Sequence, residues 1–322
     1  MDIDYRSLGL SLWTLLAIPA LGQTVTTDTT VGSVITTDNS LFTITEGTVR
    51  SDSNNATLFH SFETFSPGAA NVSFDLRASQ NALDTSAVTA IIGRITGSSS
   101  SFIDGQLSIQ QDGGTPTADL FLINPNGITF GDNASLLLPG SFFASTAESV
   151  LFEKGLSFSS RNPGAAPMLT VSSPIGLQLG NNPGAIQVIG LGQTIITNSD
   201  PTSLITSPSI RIPGALATLD VANSRTIGLI GGDVLLQGSS VRANNGRIEI
   251  GGVSRGTVGL QPNGIGWDLD YTETTADHVV LLASKSALDA SGLTSQGIQI
   301  VGGQVNVQDG SVVLMQVFGD AP

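Results

Sequence analysis

Few side chains in this sequence could perform acid–base or metal chemistry. The densest acidic stretch, DLDYTE, runs from Asp268 to Glu273. Because side chains alternate along a β-strand, Asp268 and Asp270 would lie on one face, where two carboxylates could bind calcium or assist cleavage of a polysaccharide. A solvated loop explains the same residues more simply, and the calcium-binding repeat Gly-Gly-x-Gly-x-Asp does not occur.

The remaining candidates for catalysis are two histidines. His60 lies among phenylalanines in LFHSFETF, which predicts packing in a corner of the fold rather than catalysis. His278 follows Asp277 and begins an apolar strand, which predicts a solvated strand end. Cysteine, the phosphate-binding P-loop and the Gly-x-Ser-x-Gly nucleophile motif do not occur in the sequence. We therefore predict a protein that is not an enzyme, with no catalytic residue, bound metal or cofactor.

The charge balance indicates a folded, acidic protein. Acidic residues number 26 against 12 basic ones, for a net charge of −14, and 40% of the chain is hydrophobic. A nucleic-acid-binding protein would normally carry a basic patch, and an anionic membrane surface would repel this chain. Nucleic acid and membrane surfaces are therefore not expected partners.

The first residues resemble a secretion signal. An apolar run from Leu8 to Leu21 is too short to span a bilayer but has the length of a signal-peptide core. Pro19 interrupts it, and small residues precede a cleavage position before Gln23. We predict a signal peptide over residues 1–22, export through the periplasm, and no membrane anchor, because no later apolar run is long enough.

Beyond residue 22 the pattern is that of β-strands. The helical apolar stripe is missing, and short apolar pieces are separated by Gly, Asn, Asp, Ser or Pro, which predicts an all-β protein. The predicted strands are Leu41–Ile44, Val88–Ile95, Leu120–Ile123, Ile186–Ile189, Val234–Leu236, Arg247–Ile250, Val279–Leu282, Ile298–Val301 and Val312–Met315.

An internal repeat favours a solenoid over a sandwich or barrel. IGGDVLLQGSSV (230–241) matches VGGQVNVQDGSV (301–312) at six of twelve positions, with an offset of 71 residues. A weaker match relates Leu235 and Leu236 to Leu281 and Leu282, with an offset of 46. These offsets predict three and two units of 23 to 24 residues, a length that suits one turn of a parallel β-helix. The connection rule for parallel strands predicts a right-handed helix.

Prolines concentrate between residues 161 and 214. They predict loops that leave the coil, or a boundary between an N-terminal module and later coils. The chain ends in VVLMQVFGDAP, an apolar strand without a polar capping coil, so we expect that the sequence is truncated at its C-terminus.

The motif Asn124-Pro125-Asn126-Gly127 fits a type I turn position by position. Asn at the first position bonds the backbone, Pro at the second presets φ, and Gly at the fourth accepts a left-handed conformation. Pro262-Asn263-Gly264-Ile265 repeats the same letters later in the chain. Local geometry alone is therefore enough to explain both copies.

The surroundings of the first copy resemble a known family. The stretch LFLINPNGITFGDNASLLLPGSFFAST (120–146) is similar to the haemagglutination-activity region of filamentous haemagglutinin-like exoproteins, whose N-terminal module is the two-partner secretion (TPS) domain. LFHSFETFS (58–66) and IIGRITG (91–97) look like further family landmarks in the expected order, so the resemblance covers about residues 31–146. The family's second motif, Asn-Pro-Asn-Leu, does not occur.

The resemblance implies a secreted, adhesin-like exoprotein that ends outside the cell or on its surface. Its N-terminal module would be recognised in the periplasm by an outer-membrane β-barrel transporter with periplasmic domains, and the chain would cross unfolded. The implied secretion motif consists of Asn124, Pro125, Asn126, Gly127 and Ile128. The host surface or glycan that it binds is not implied.

Together these observations predict an all-β, right-handed parallel β-helix with extra-helical strands in the N-terminal module. The predicted divisions are a signal peptide (1–22), the secretion module (23–160) and continuing coils (161–322). The alternative function is a secreted carbohydrate-active β-helix enzyme, a polysaccharide lyase or hydrolase, that would use Asp268 and Asp270.

Overall fold

The computed structural model describes most of the chain after the predicted signal peptide. The described residues are 23–51, 56–77, 87–112, 117–164, 166, 173–193, 195–196, 210–211 and 219–317. The predicted signal peptide (1–22) and part of the proline-rich segment 161–214 lie outside the described residues.

Almost all regular structure in the described residues is β-strand. A single 3-10 turn occupies Glu153–Gly155, and none of the described helical structure is long and apolar enough to cross a membrane. The strands are β1 Thr24–Thr27, β2 Ser33–Asp38, β3 Leu41–Glu46, β4 Thr48–Ser51, β5 Ala56–Ser66, β6 Asn71–Asp75, β7 Val88–Ile95, β8 Ser101–Ile103, β9 Gln106–Gln110, β10 Asp119–Ile123, β11 Ile128–Phe130, β12 Ser135–Leu137, β13 Phe142–Ser145, β14 Ser149–Phe152, β15 Leu156–Ser159, β16 Gly176–Leu179, β17 Ile186–Ile189, β18 Ile195–Ile196, β19 Ile210–Arg211, β20 Leu219–Asp220, β21 Thr226–Gly231, β22 Val234–Gln237, β23 Ser240–Arg242, β24 Arg247–Gly252, β25 Ser254–Pro262, β26 Trp267–Thr275, β27 Val279–Ala283, β28 Ala287–Asp289, β29 Gly297–Gly302, β30 Gln304–Val307 and β31 Val312–Leu314.

The strands wind into a parallel β-helix with three faces. The first face contains β5, β7, β10, β13, β21, β24 and β29 as seven parallel neighbours. The second face follows the order β8-β11-β17-β22-β27-β30, and the third contains β3-β6-β9-β12 and β20-β23-β28-β31. Each coil therefore stacks directly on the one before it, which confirms the predicted solenoid.

The internal repeat reports the stacking, but the predicted number of units is wrong. Leu235 pairs with Leu281, so the offset of 46 spans one coil. Strand β21 pairs with β24, which pairs with β29, so the offset of 71 spans two. The bare coil is short, since Thr226 pairs with Arg247 only 21 residues later. The following coil is lengthened by the hairpin β25–β26, which leaves the helix and pairs in another sheet.

Alternation along the first face builds two separate cores. On β10, Leu120 and Leu122 point into the helix, whereas Phe121 and Ile123 lie in a second cluster outside it. That outer cluster is covered by an antiparallel sheet of order β15-β14-β16-β25-β26. The predicted extra-helical strands therefore exist, with β14 and β15 inside the predicted module and three more contributed by later sequence.

The two ends of the helix differ. At the N-terminal end, β1 and β4 pair antiparallel with β5, and β2 pairs antiparallel with β3, which covers the first coil. At the other end, no strand within the described residues pairs with the far edges of β29, β30 and β31. Apolar side chains exposed in this last coil are Val305, Val307, Val313, Met315 and Val317.

Candidate functional site

The Asn-Pro-Asn-Gly motif forms the corner between β10 on the first face and β11 on the second. The backbone N–H of Gly127 donates to the carbonyl of Asn124 over 3.1 Å, which closes the four-residue turn. Gly127 has a φ of 117°, a region that favours glycine. The structure therefore contains the turn that the sequence predicts.

Asn124 is fully buried and uses its whole hydrogen-bonding capacity. Its Nδ2 donates to the carbonyl of Ser99 over 3.0 Å and to Ser101 Oγ over 2.9 Å. Its Oδ1 accepts from both the backbone N–H and the Nδ2 of Asn126, each at 3.0 Å. The first asparagine therefore holds its own turn and also binds the preceding coil.

Asn126 is half-buried and has one accessible edge. Its Nδ2 also donates to the carbonyl of Gly97 over 2.8 Å, which adds a second bond to the preceding coil. Its Oδ1 accepts from Arg161 Nη1 at 3.3 Å. Arg161 also lies 3.6 Å from Glu148, and the pair lines an open polar groove of about 460 Å³. Asn126 is thus the motif residue whose amide reaches toward this groove.

The following coil clamps the corner from the other side. The N–H of Gly184 donates to the carbonyl of Pro125 over 2.9 Å, and the N–H of Ile128 donates to that of Ala185 over 3.0 Å. A Cβ on Gly184 would lie only 2.4 Å from the carbonyl carbon of Asn126, so the backbones approach too closely for any other residue. Pro125 and Ile128 are buried between the coils.

The second copy of the motif occupies a different environment. Pro262, Asn263, Gly264 and Ile265 form the exposed loop of the hairpin β25–β26. There Asn263 Oδ1 accepts from the N–H of Gly266 over 2.8 Å, within the loop itself. The same letters therefore make a local loop in one place and a joint between three coils in the other.

The carboxylates proposed for the alternative enzymatic function lie on one exposed face of β26, as alternation predicts. Asp268 lies 3.4 Å from Arg247, and Asp270 accepts from the N–H of Thr272 at 2.9 Å. That hydrogen bond lowers the pKa of Asp270. In the described part of the chain, no three His, Cys, Asp or Glu side chains are grouped closely enough to hold a metal ion.

One of the two histidine predictions is confirmed. His60 is buried, its ring lies 5.5 Å from that of Phe74, and its Nδ1 is 3.0 Å from Ser33 Oγ. Burial lowers the pKa of His60 to about 3, so the imidazole is neutral. The prediction for His278 is wrong: its Nδ1 lies 3.0 Å from Asp233 and the residue is half-buried, because the neighbouring coil places that carboxylate beside it.

Sequence reasoning missed a buried acid on the outer side of the first face. Glu249 is fully buried under the hairpin β25–β26, where its carboxylate contacts Arg247 and accepts from the hydroxyl of Tyr271 at 3.2 Å. Burial raises the pKa of Glu249 to about 7. Alternation in RIEI points Glu249 away from the helix interior, and nothing local indicates that a hairpin covers it.

Comparison with known proteins identifies the chain by its sequence. The family described as the TPS secretion domain matches residues 22–307. Comparison with curated protein sequences found no match.

Two solved structures share part of the architecture. The HMW1 secretion domain from Haemophilus influenzae aligns with 17% identity and a TM-score of 0.48, over 86% of this chain and 57% of that one. The filamentous haemagglutinin secretion domain aligns with 15% identity and a TM-score of 0.35, over 92% and 96%. The resemblance seen in the sequence motifs is confirmed by the family match. This chain belongs to the family of TPS secretion domains, the secretion domains of two-partner secretion exoproteins.

Proposed function

We propose that this chain is the secreted exoprotein of a two-partner secretion system, and that an outer-membrane β-barrel transporter with periplasmic domains recognises it in the periplasm. The match to the TPS secretion domain over residues 22–307 carries this proposal. The chain crosses the outer membrane unfolded and folds outside, where it is released or stays at the cell surface. Residues 1–22 act as the signal peptide, so the secreted chain begins at Gln23.

The architecture supports export in an unfolded form. Each coil packs on its neighbour, so the helix can grow as successive segments emerge. No disulfide can lock the chain before it crosses, because the sequence contains no cysteine. The seven stacked coils then supply folding free energy on the outer side of the membrane.

The corner motif has two roles in this proposal, separated in time. In the folded protein, Asn124 and Pro125 are buried between coils and no partner could reach them. Their side chains are accessible only while the chain is unfolded, which is its state in the periplasm. We therefore assign transporter recognition to the unfolded segment Asn124–Ile128, and closure of the corner to the same residues after export.

The test compares Asn126→Ala with the matched control Asn263→Ala, since both asparagines precede a glycine in Pro-Asn-Gly. Binding of each urea-unfolded chain to the purified periplasmic domains of the transporter is measured after dilution. We expect Asn126→Ala to weaken binding by about fivefold or more, a loss of about 1 kcal/mol, and Asn263→Ala to leave it unchanged. Equal binding by both variants would restrict the motif to a structural role.

Export itself is tested in cells that produce the chain with and without the transporter. We expect the chain in the medium or on the cell surface when the transporter is present, and in the periplasm when the transporter gene is deleted. Export that continues without the transporter would refute the proposed secretion route. Mass spectrometry of the secreted chain tests the predicted start at Gln23.

We further propose that the secreted protein acts as a haemagglutinin-like adhesin. Its long exposed faces and its secretion-domain family support a surface role. Purified protein is tested for agglutination of erythrocytes and for attachment of coated beads to epithelial cells. A protein that is exported normally but binds neither cell type would refute the adhesive role without affecting the secretion proposal.

A further inference from the structure

Arg94 is a buried arginine that no part of the proposed secretion function uses. It lies in the stretch IIGRITG on β7 and points to the outer side of the first face, with 1% of its surface exposed. Its Nε donates to Ser61 Oγ over 2.7 Å, and its Nη2 donates to Thr30 Oγ1 over 2.9 Å. The carbonyls of Ser159 and Gly164 accept from Nη1 and Nη2 at 2.9 and 2.5 Å.

The groups around this guanidinium come from segments far apart in the chain. Thr30 belongs to the N-terminal cap, which we define as residues 23–51. Ser159 and Gly164 belong to the outer arm, which we define as residues 149–164 and which contains β14 and β15. The guanidinium also lies 3.9 Å from the ring centroid of Phe158 in the outer arm, within the range of a cation–π contact.

A carboxylate in the cap completes the network. Asp28 accepts from Ser61 Oγ at 2.6 Å and from Thr30 Oγ1 at 2.7 Å, so each hydroxyl joins the carboxylate to Arg94. Thr96 donates to the same carboxylate over 3.0 Å. Burial alone would raise the pKa of Asp28, but these hydrogen bonds outweigh it and hold the pKa below its ordinary value.

The charge makes partial assembly unfavourable. Burial lowers the pKa of Arg94 to about 10, so the guanidinium remains charged at neutral pH. A buried charge that loses part of its hydrogen-bonding shell is strongly destabilised. Without the outer arm, Arg94 would lose two carbonyls and an aromatic face. Without the cap, it would lose Thr30 and the nearby charge of Asp28.

We infer that Arg94 is an interlock that makes the N-terminal cap and the outer arm close together, so that each is stable only when the other is in place. The first coil of an emerging chain then gains its final stability only after residue 164 has become available. The interlock concerns the folded protein alone and does not depend on the identity of any transporter.

The test measures native-state hydrogen exchange of the full chain in variants that alter one side only. Thr30→Val removes the cap's hydroxyl, and Phe158→Leu removes the ring of the outer arm. The matched controls are Thr48→Val, whose hydroxyl donates to the carbonyl of Val31 in the cap, and Phe152→Leu, whose ring packs against Phe59 in the outer cluster. Neither control residue contacts Arg94 through these interactions.

We expect each test variant to accelerate exchange on the opposite side. Thr30→Val should speed exchange of the β14 and β15 amides, and Phe158→Leu should speed exchange of the β1 amides, each by about tenfold, as for a lost hydrogen bond to a charged group. Each control should act only on its own side. Effects of Thr30→Val and Phe158→Leu that stay on the mutated side, or equal cross-effects from the controls, would overturn the interlock.

Discussion

Replacement of Asn124 by alanine should destabilise the folded protein far more than replacement of any exposed turn asparagine. The side chain makes four hydrogen bonds from a fully buried position. Alanine leaves these partners unpaired: the carbonyl of Ser99, Ser101 Oγ, and the backbone and side-chain N–H groups of Asn126.

The cost follows from which of those partners water can reach. Ser99 is exposed, so water can hydrate its carbonyl. Ser101 is buried and the backbone N–H of Asn126 lies inside the turn. Each buried polar group left without a partner costs about 1 to 3 kcal/mol, so we expect a loss of about 3 to 4 kcal/mol for Asn124→Ala. Such a loss is a large part of the total stability of an ordinary domain.

The assay is urea unfolding of the purified chain, followed by circular dichroism in the far ultraviolet. Asn263→Ala is the control, because Asn263 bonds only within its exposed loop and with other exposed residues, and we expect it to cost less than about 1 kcal/mol. The midpoint should fall for Asn124→Ala with little change for the control. Equal midpoints for the two variants would refute the conclusion that the first motif joins three coils.

Three further predictions concern buried groups. The pKa of Glu249 is about 7 in the folded state against an ordinary 4.5, so its ionisation opposes folding, and stability should fall by roughly 3 kcal/mol as pH rises across that window; Glu249→Gln should remove this fall in unfolding experiments at pH 4.5 and 7.5. The pKa of His60 is about 3 against an ordinary 6.5, so its stabilising contribution should disappear as pH falls from 6.5 towards 3, and thermal unfolding of His60→Asn should show a shallower acid dependence. Gly184→Ala should cost at least about 2 kcal/mol in urea unfolding, because its Cβ would overlap the backbone of Asn126, whereas Gly164→Ala, with nothing within 4 Å, should be nearly neutral.

Much of the β-helix was predictable because its stacking rule is local. Residues that face the interior are apolar, their neighbours in the next coil are apolar too, and one coil is about the length of the repeat. The nine predicted strands all overlap observed ones, and Val88–Ile95 and Ile186–Ile189 agree at both ends. Unrecognised strands, such as β6 and β13, have no alternation or turn residues that separate them clearly from their surroundings.

The miscounted repeat shows where local patterns stop being sufficient. A hairpin inserted between β24 and β27 lengthens one coil without disturbing the register of the strands that flank it. Offsets between repeats therefore measure chain length, whereas coils are counted by hydrogen-bonded neighbours. Only the paired strands distinguish two coils from three.

The sequence by itself determined that the chain is an all-β solenoid, and that both Pro-Asn-Gly segments turn, because these properties arise from the periodicity and the backbone preferences of neighbouring residues. Only the tertiary structure decided that Asn124 is sealed between coils while Asn263 stays in water. It likewise decided that Arg94 and Glu249, which point away from the helix interior, are buried beneath a second sheet. The physical reason is that burial depends on which distant segment packs over a residue, and the outer sheet gathers strands from widely separated parts of the chain.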